Sequence, residues 1–97
     1  MGDEELAREI EDLFLETVGE QLASISESFH EGAARSLAAK LHKLKGTLAN
    51  LGASRAAETV RRAEVSVVKA ELTAKDVEAL LEEVEALRRE VLAVRKA

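Results

Sequence analysis

Apolar residues recur at spacings of three and four along nearly the whole chain, in four runs, and no proline interrupts any of them. That spacing marks helices with one apolar side, and the absence of proline lets each run stay unbroken. A one-sided helix must bury its stripe against something, and four of them joined by short links do so most economically on each other. The reading is all-α, an antiparallel up-down-up-down four-helix bundle with helices over about 4–29, 33–51, 54–69 and 74–96. Phe14 and Phe29 are the only aromatic residues, so the core is built from Leu, Val, Ile and Ala. The chain has 97 residues, room for one modest core, and 1–97 is expected to form one domain.

Taken in order, Leu6, Ile10, Leu13 and Phe14 begin the apolar side of the first helix, and Val18, Leu22, Ile25 and Phe29 continue it, rotated to one side. A stripe this broad contacts more than one neighbour. Leu15 lies beside Val18 and Leu22, either at the edge of the core or in an exposed apolar docking patch. Gly32 and Gly52 are stop signals for the first and second helices. Ser54 is the expected N-cap of the third, whose apolar side is Ala56, Ala57, Val60, Ala63, Val67 and Val68. Glu64 breaks that side, and a carboxylate there needs a partner or a route to water. Thr73-Ala74-Lys75-Asp76 reads as a capping box with Asp in the usual Glu position. Val77, Leu80, Val84, Leu87, Val91 and Val94 then form a heptad seam, widened by Leu81. An internal seam implies a monomer.

The net charge of −5 argues against nucleic acid as a partner. No apolar run approaches the roughly 20 residues that span a bilayer, and the acidic opening Met1-Gly2-Asp3-Glu4-Glu5 does not resemble a signal segment. With no cysteine to form disulfides, a cytoplasmic setting is expected. No clustered His/Asp/Glu set suggests a metal site.

The chemistry concentrates in residues 41–52. Leu37, Leu41, Leu44, Leu48 and Leu51 are the buried stripe of the second helix. At about 100° per residue, His42 points roughly 140° away from the centre of that stripe. Around it on the outer face stand Ala38, Ala39, Gly46 and Ala49, with Arg35 two turns before and Lys45 one turn ahead. Gly46 costs the helix roughly 1 kcal/mol, so something must approach closely enough to need the space. Imidazole, with an ordinary pKa near 6.5, is partly neutral and nucleophilic near pH 7. A fitting partner is a phosphoryl group in transit, whose charge Lys45 can meet. Attack through one ring nitrogen requires the proton on the other, and Glu64 on the next helix is the candidate acceptor, unless it only reaches water at the edge. His30, near a helix end without such neighbours, reads as structural.

His42-Lys43-Leu44-Lys45-Gly46, followed by Leu51-Gly52-Ala53, resembles the signature of histidine-containing phosphotransfer (HPt) domains. The resemblance extends over nearly the whole chain, including Leu13-Phe14-Leu15-Glu16; Leu41 stands where that family often has alanine. It implies a four-helix bundle that takes a phosphoryl group from a receiver-domain aspartate and passes it to another receiver. By that likeness His42 is the acceptor, Lys45 stabilises the phosphoryl, Gly46 clears space and Glu64 stands beside the ring. It also implies response-regulator receivers and a histidine kinase as partners, no ATPase activity, and no cofactor of its own, the Mg²⁺ and acidic pocket belonging to the receiver. Docking is expected on the face around His42, through Arg35, Ala38, Ala39, Lys43 and Ala49, with apolar help from Leu15, Val18 and Leu22. Two other readings compete. One is the phosphoacceptor domain of a chemotaxis-type kinase. The other is a non-catalytic adaptor that binds receivers, against which the presence of both His42 and Lys45 counts.

Overall fold

A computed structural model describes residues 2–96, apart from the side chain of Lys96. Four helices follow in order: α1 (Gly2–His30), α2 (Ala34–Leu51), α3 (Ser54–Val68) and α4 (Ala74–Lys96). Each packs on two others, α1 on α2 and α4, and α3 on α2 and α4, as an antiparallel bundle requires. Among the described residues no helix is long and apolar enough to cross a membrane.

The three turns share one local solution. Gly32, Gly52 and Ala70 all have positive φ, +69°, +83° and +58°. After each, the next residue's N–H reaches back five positions: Ala33 to the Ser28 carbonyl, Ala53 to Leu48 and Glu71 to Ser66. This is the Schellman ending, which satisfies carbonyls that a helix end would otherwise leave unpaired. Glycine reaches that left-handed conformation without strain at two turns; at the third, Ala70 adopts it at a cost of roughly 1 kcal/mol. The chain leaves Gly52 so directly that Ala53 occupies the N-cap position of α3, without a side-chain cap, and Ser54 is already helical. The expected Ser54 cap is therefore not made. The capping box of α4 is: Thr73 N–H donates to Asp76 Oδ2 at 3.0 Å, and Asp76 N–H to Thr73 Oγ1 at 3.1 Å.

The core runs through Phe14, Val18, Leu22 and Ile25 of α1, Leu37, Leu41, Leu44 and Leu48 of α2, Ala56, Val60 and Ala63 of α3, and Val77, Leu80 and Val84 of α4. The small residues of α3 let it settle closely on α2, since interaxial distance follows side-chain size. Between α1 and α2 the register is fixed by polar contacts. Lys40 Nζ donates to the buried Ser28 Oγ at 2.6 Å, and Gln21 Nε2 to Thr47 Oγ1 at 3.4 Å.

Helix lengths differ, and this corrects part of the expected core. At about 1.5 Å per residue, α1 spans about 43 Å and α2 about 27 Å, within a molecule 45 Å long. The start of α1 and the end of α4 therefore overhang the α2–α3 turn, tied together by Arg95 with Asp12 and Glu11. Leu6, Leu92 and Val94 lie exposed there, because no third helix reaches them, and Leu13 is exposed because it stands about 100° around α1 from the buried Phe14. The α4 seam is internal from Val77 to Val84 and opens beyond it. Val68, expected in the core, is 81% exposed. It falls on the line of Glu64, outside the stripe that Ala56, Val60, Ala63 and Val67 already complete.

Candidate functional site around His42

The fully buried Leu41, Leu44 and Leu48 anchor α2 and hold the opposite side of that helix toward water. His42 stands on the outer side, its side chain 68% exposed. Ala39, Gly46 and Ala49 are exposed around it and Ala38 is half-buried. A methyl group built on Gly46 would meet nothing within 4 Å. The glycine therefore answers no packing need within the molecule.

From α3, Glu64 leans across the close α2–α3 interface. Its Oε2 lies 3.1 Å from His42 Nδ1, and its Oε1 lies 3.1 Å from Lys45 Nζ, an ion pair without hydrogen-bond alignment. One carboxylate thus bridges the ring and the lysine. Val60, one turn back and fully buried, and Ala63 beside it fix the backbone from which Glu64 projects. With the proton on Nδ1, the ring donates to Glu64 and Nε2 keeps its lone pair. Nε2 has no hydrogen-bond partner among the described residues. The arrangement suits a nucleophile with a set tautomer, a cation within reach and a cleared approach.

Other charges nearby divide into engaged and free. Arg61, one turn from Glu64, donates to both oxygens of Glu58 at 2.8 and 2.6 Å. Those hydrogen bonds hold the Glu58 carboxyl below its ordinary range and raise the Arg61 guanidinium. Both groups are solvent-exposed, so the pair adds little to stability, but it draws Arg61 to its own helix. Arg35 and Lys43 are exposed and form no ion pair among the described residues. Among the same residues, no group of three or more His, Cys, Asp or Glu side chains is placed to hold a metal ion.

The expected docking residues separate into two groups. Arg35, Ala39 and Ala49 are on the His42 face and exposed, Ala38 is at its border, and Lys43, about 100° further around the helix, is exposed toward α1 beside Glu20, Gln21 and Ser24. Val18 and Leu22 are 0% and 6% exposed and belong to the core, because α2 and α4 flank α1 and cover them. Neither can touch a partner, and Leu15 beside them packs half-buried against that core. On α3, Val65 and Val68 are 41% and 81% exposed. For Val68 the signal was present, since at about 100° per residue it stands about 80° from Val60 and about 100° from Val67, beyond Glu64 on the way out of the stripe.

Comparison with protein families finds one described as Hpt domain, matching residues 9–90. Searches of curated proteins and of solved structures returned no significant match.

Proposed function

The chain belongs to the Hpt domain family, whose members carry phosphoryl groups on histidine in phosphorelays, and from that premise we propose that His42 is the phosphoacceptor. It takes the phosphoryl group from a receiver-domain aspartate and yields it to another receiver. The observation that carries this reading is the bridging carboxylate: with Glu64 on Nδ1, Nε2 is left free among the small residues Ala39, Gly46 and Ala49.

The step balances without a proton transfer. The Nε2 lone pair attacks phosphorus, the N–P bond forms, and the P–O bond of the aspartyl phosphate breaks, its electron pair leaving on the receiver carboxylate. The ring keeps its Nδ1 proton and becomes cationic, and Glu64 faces that charge. Lys45 donates to the phosphoryl oxygens, a charge-assisted hydrogen bond stronger than a neutral one. Catalysis here is positioning and charge stabilisation, which is all a module without its own ATP site needs. The receiver supplies Mg²⁺ and the acidic pocket. The exposed cations Arg35 and Lys43 attract that pocket locally although the chain is acidic overall.

The test is incubation with a phosphorylated receiver and Mg²⁺. Wild-type protein should acquire an acid-labile, base-stable label, and His42→Gln should acquire none. Label that persists in His42→Gln would overturn the assignment of the residue. No transfer from any receiver of the same organism would overturn the relay reading.

A further inference from the structure

We infer that α3 supplies the apolar contact to the receiver, through Val65 and Val68; the inference rests on the phosphotransfer reading above. Exposed apolar residues scattered singly are ordinary on protein surfaces. These two are not scattered. They stand three residues apart on one side of α3, and Val68 follows Glu64 by one turn on the same line, so the pair borders the residue that touches His42. Of the six large hydrophobic residues that are exposed among those described, the other four lie on α1 and α4, away from His42. Val68 fills no place in the core, since Val67 beside it packs there.

The surface has a consistent shape and charge. On the α2 side it is low, because Ala39, Gly46 and Ala49 project little. On the α3 side it rises into the two valines. Arg35 lies exposed on α2 on the His42 side and Lys45 stands beside Glu64, while Arg61 is held by Glu58 on its own helix. A partner that fits presents an acidic pocket over His42 and an apolar ridge beside it, toward the end of α3. We assign that partner as the receiver domain that exchanges phosphoryl with His42. The acidic pocket meets the α2 cations and the apolar ridge covers the valines. Apolar groups removed from water add affinity at such a surface, and the charges beside them set orientation.

Val68→Asp and Val68→Ala test this, with Leu6→Ser on the overhang as a control. Helicity and melting temperature verify that each variant folds, and an exposed position tolerates such changes. Transfer from the phosphorylated receiver is followed under single-turnover conditions over a range of receiver concentrations. Phosphoramidate, a small donor that needs no docking, is used in parallel to label His42 directly. Val68→Asp should raise the half-saturating receiver concentration by roughly tenfold to a hundredfold, and Val68→Ala by several-fold. The maximal rate and the phosphoramidate labelling should stay at the wild-type level, and Leu6→Ser should match wild type throughout. Unchanged half-saturation in both Val68 variants would overturn the α3 contact while leaving the phosphotransfer reading intact. Equal weakening by Leu6→Ser would overturn its location. Failure of wild-type protein to be labelled by either donor is the separate result that removes the phosphotransfer reading itself.

Discussion

Gly46 allows folding and function to be separated in one residue. It lies inside α2, one turn after His42 on the exposed side, and a methyl group added there meets no atom within 4 Å. Glycine in a helix interior costs roughly 0.5–1 kcal/mol relative to alanine. With neither clash nor lost contact to offset it, Gly46→Ala should stabilise the protein by about that amount. In a domain of this size about 1 kcal/mol moves the melting temperature by roughly 4–8 °C, which thermal circular dichroism resolves easily. Transfer should move the other way as the side chain grows. Gly46→Leu places branched carbons where the incoming receiver must bring its phosphoryl, and a displacement of about 1 Å can cost on the order of a hundredfold in rate. Gly19 is the matched control. It too lies inside a helix, and an added methyl would meet only Arg88 Nη1, at an ordinary 3.9 Å. Gly19→Ala should stabilise similarly and leave transfer untouched. The pair of assays is a thermal melt and single-turnover transfer from a phosphorylated receiver below saturation. Full transfer by Gly46→Leu would refute the steric argument, and a lowered melting temperature in Gly46→Ala would refute the claim of open space.

Two further predictions address the lysine and the third turn. Lys45→Ala should lower the maximal transfer rate more than it raises the half-saturating receiver concentration, because the lysine meets charge on the moving phosphoryl; equal rates at saturating receiver would refute that role. Ala70→Gly should raise the melting temperature, by about 0.5–1 kcal/mol of stability, because Ala70 holds φ +58° and glycine does not pay the Cβ penalty there; an unchanged or lower melting temperature would show that the turn carries no such strain.

Local features of this chain were legible because their causes are local. Spacing of three and four sets the helices, Gly32 and Gly52 mark ends that need positive φ, and Thr73 with Asp76 closes a box within four residues. The contact of Glu64 with His42 was legible only as one of two readings, since an acidic residue in an otherwise apolar stripe needs either a partner or a route to water. The errors arose where a neighbour's position or reach decides. Val18 and Leu22 share a side with Leu15, and only the placement of α2 and α4 on both flanks of α1 shows them to be buried. Val94 fits an apolar stripe, but α2 and α3 stop short of it, and Leu13 stands about 100° around α1 from the buried Phe14. Ser54 has the right side chain for a cap, yet the Gly52–Ala53 turn hands that position to Ala53. Ala70 carries no glycine to announce its backbone. Val68 shows how a stripe read by counting admits one residue too many, when the angle it shares with Glu64 already excludes it.

The shared carboxylate explains how such a site can accept a charged group and still release it. Before transfer, Glu64 pairs with Lys45 and faces the ring nitrogen Nδ1. On the proposed mechanism the ring then gains a positive charge and the phosphoryl group brings negative charge to the other side. Glu64 can exchange Lys45 for the ring, and Lys45 can exchange Glu64 for the phosphoryl, so every charge has a partner in both states. The His42, Lys45 and Glu64 side chains are 68%, 30% and 23% exposed. Each pair is in part open to water, which screens it, so the exchange creates no deep energy well on either side. An enzyme that binds an intermediate tightly slows its departure. On the proposed mechanism, a carrier that must pass the same group onward is better served by this arrangement, in which position rather than strong binding does the chemistry.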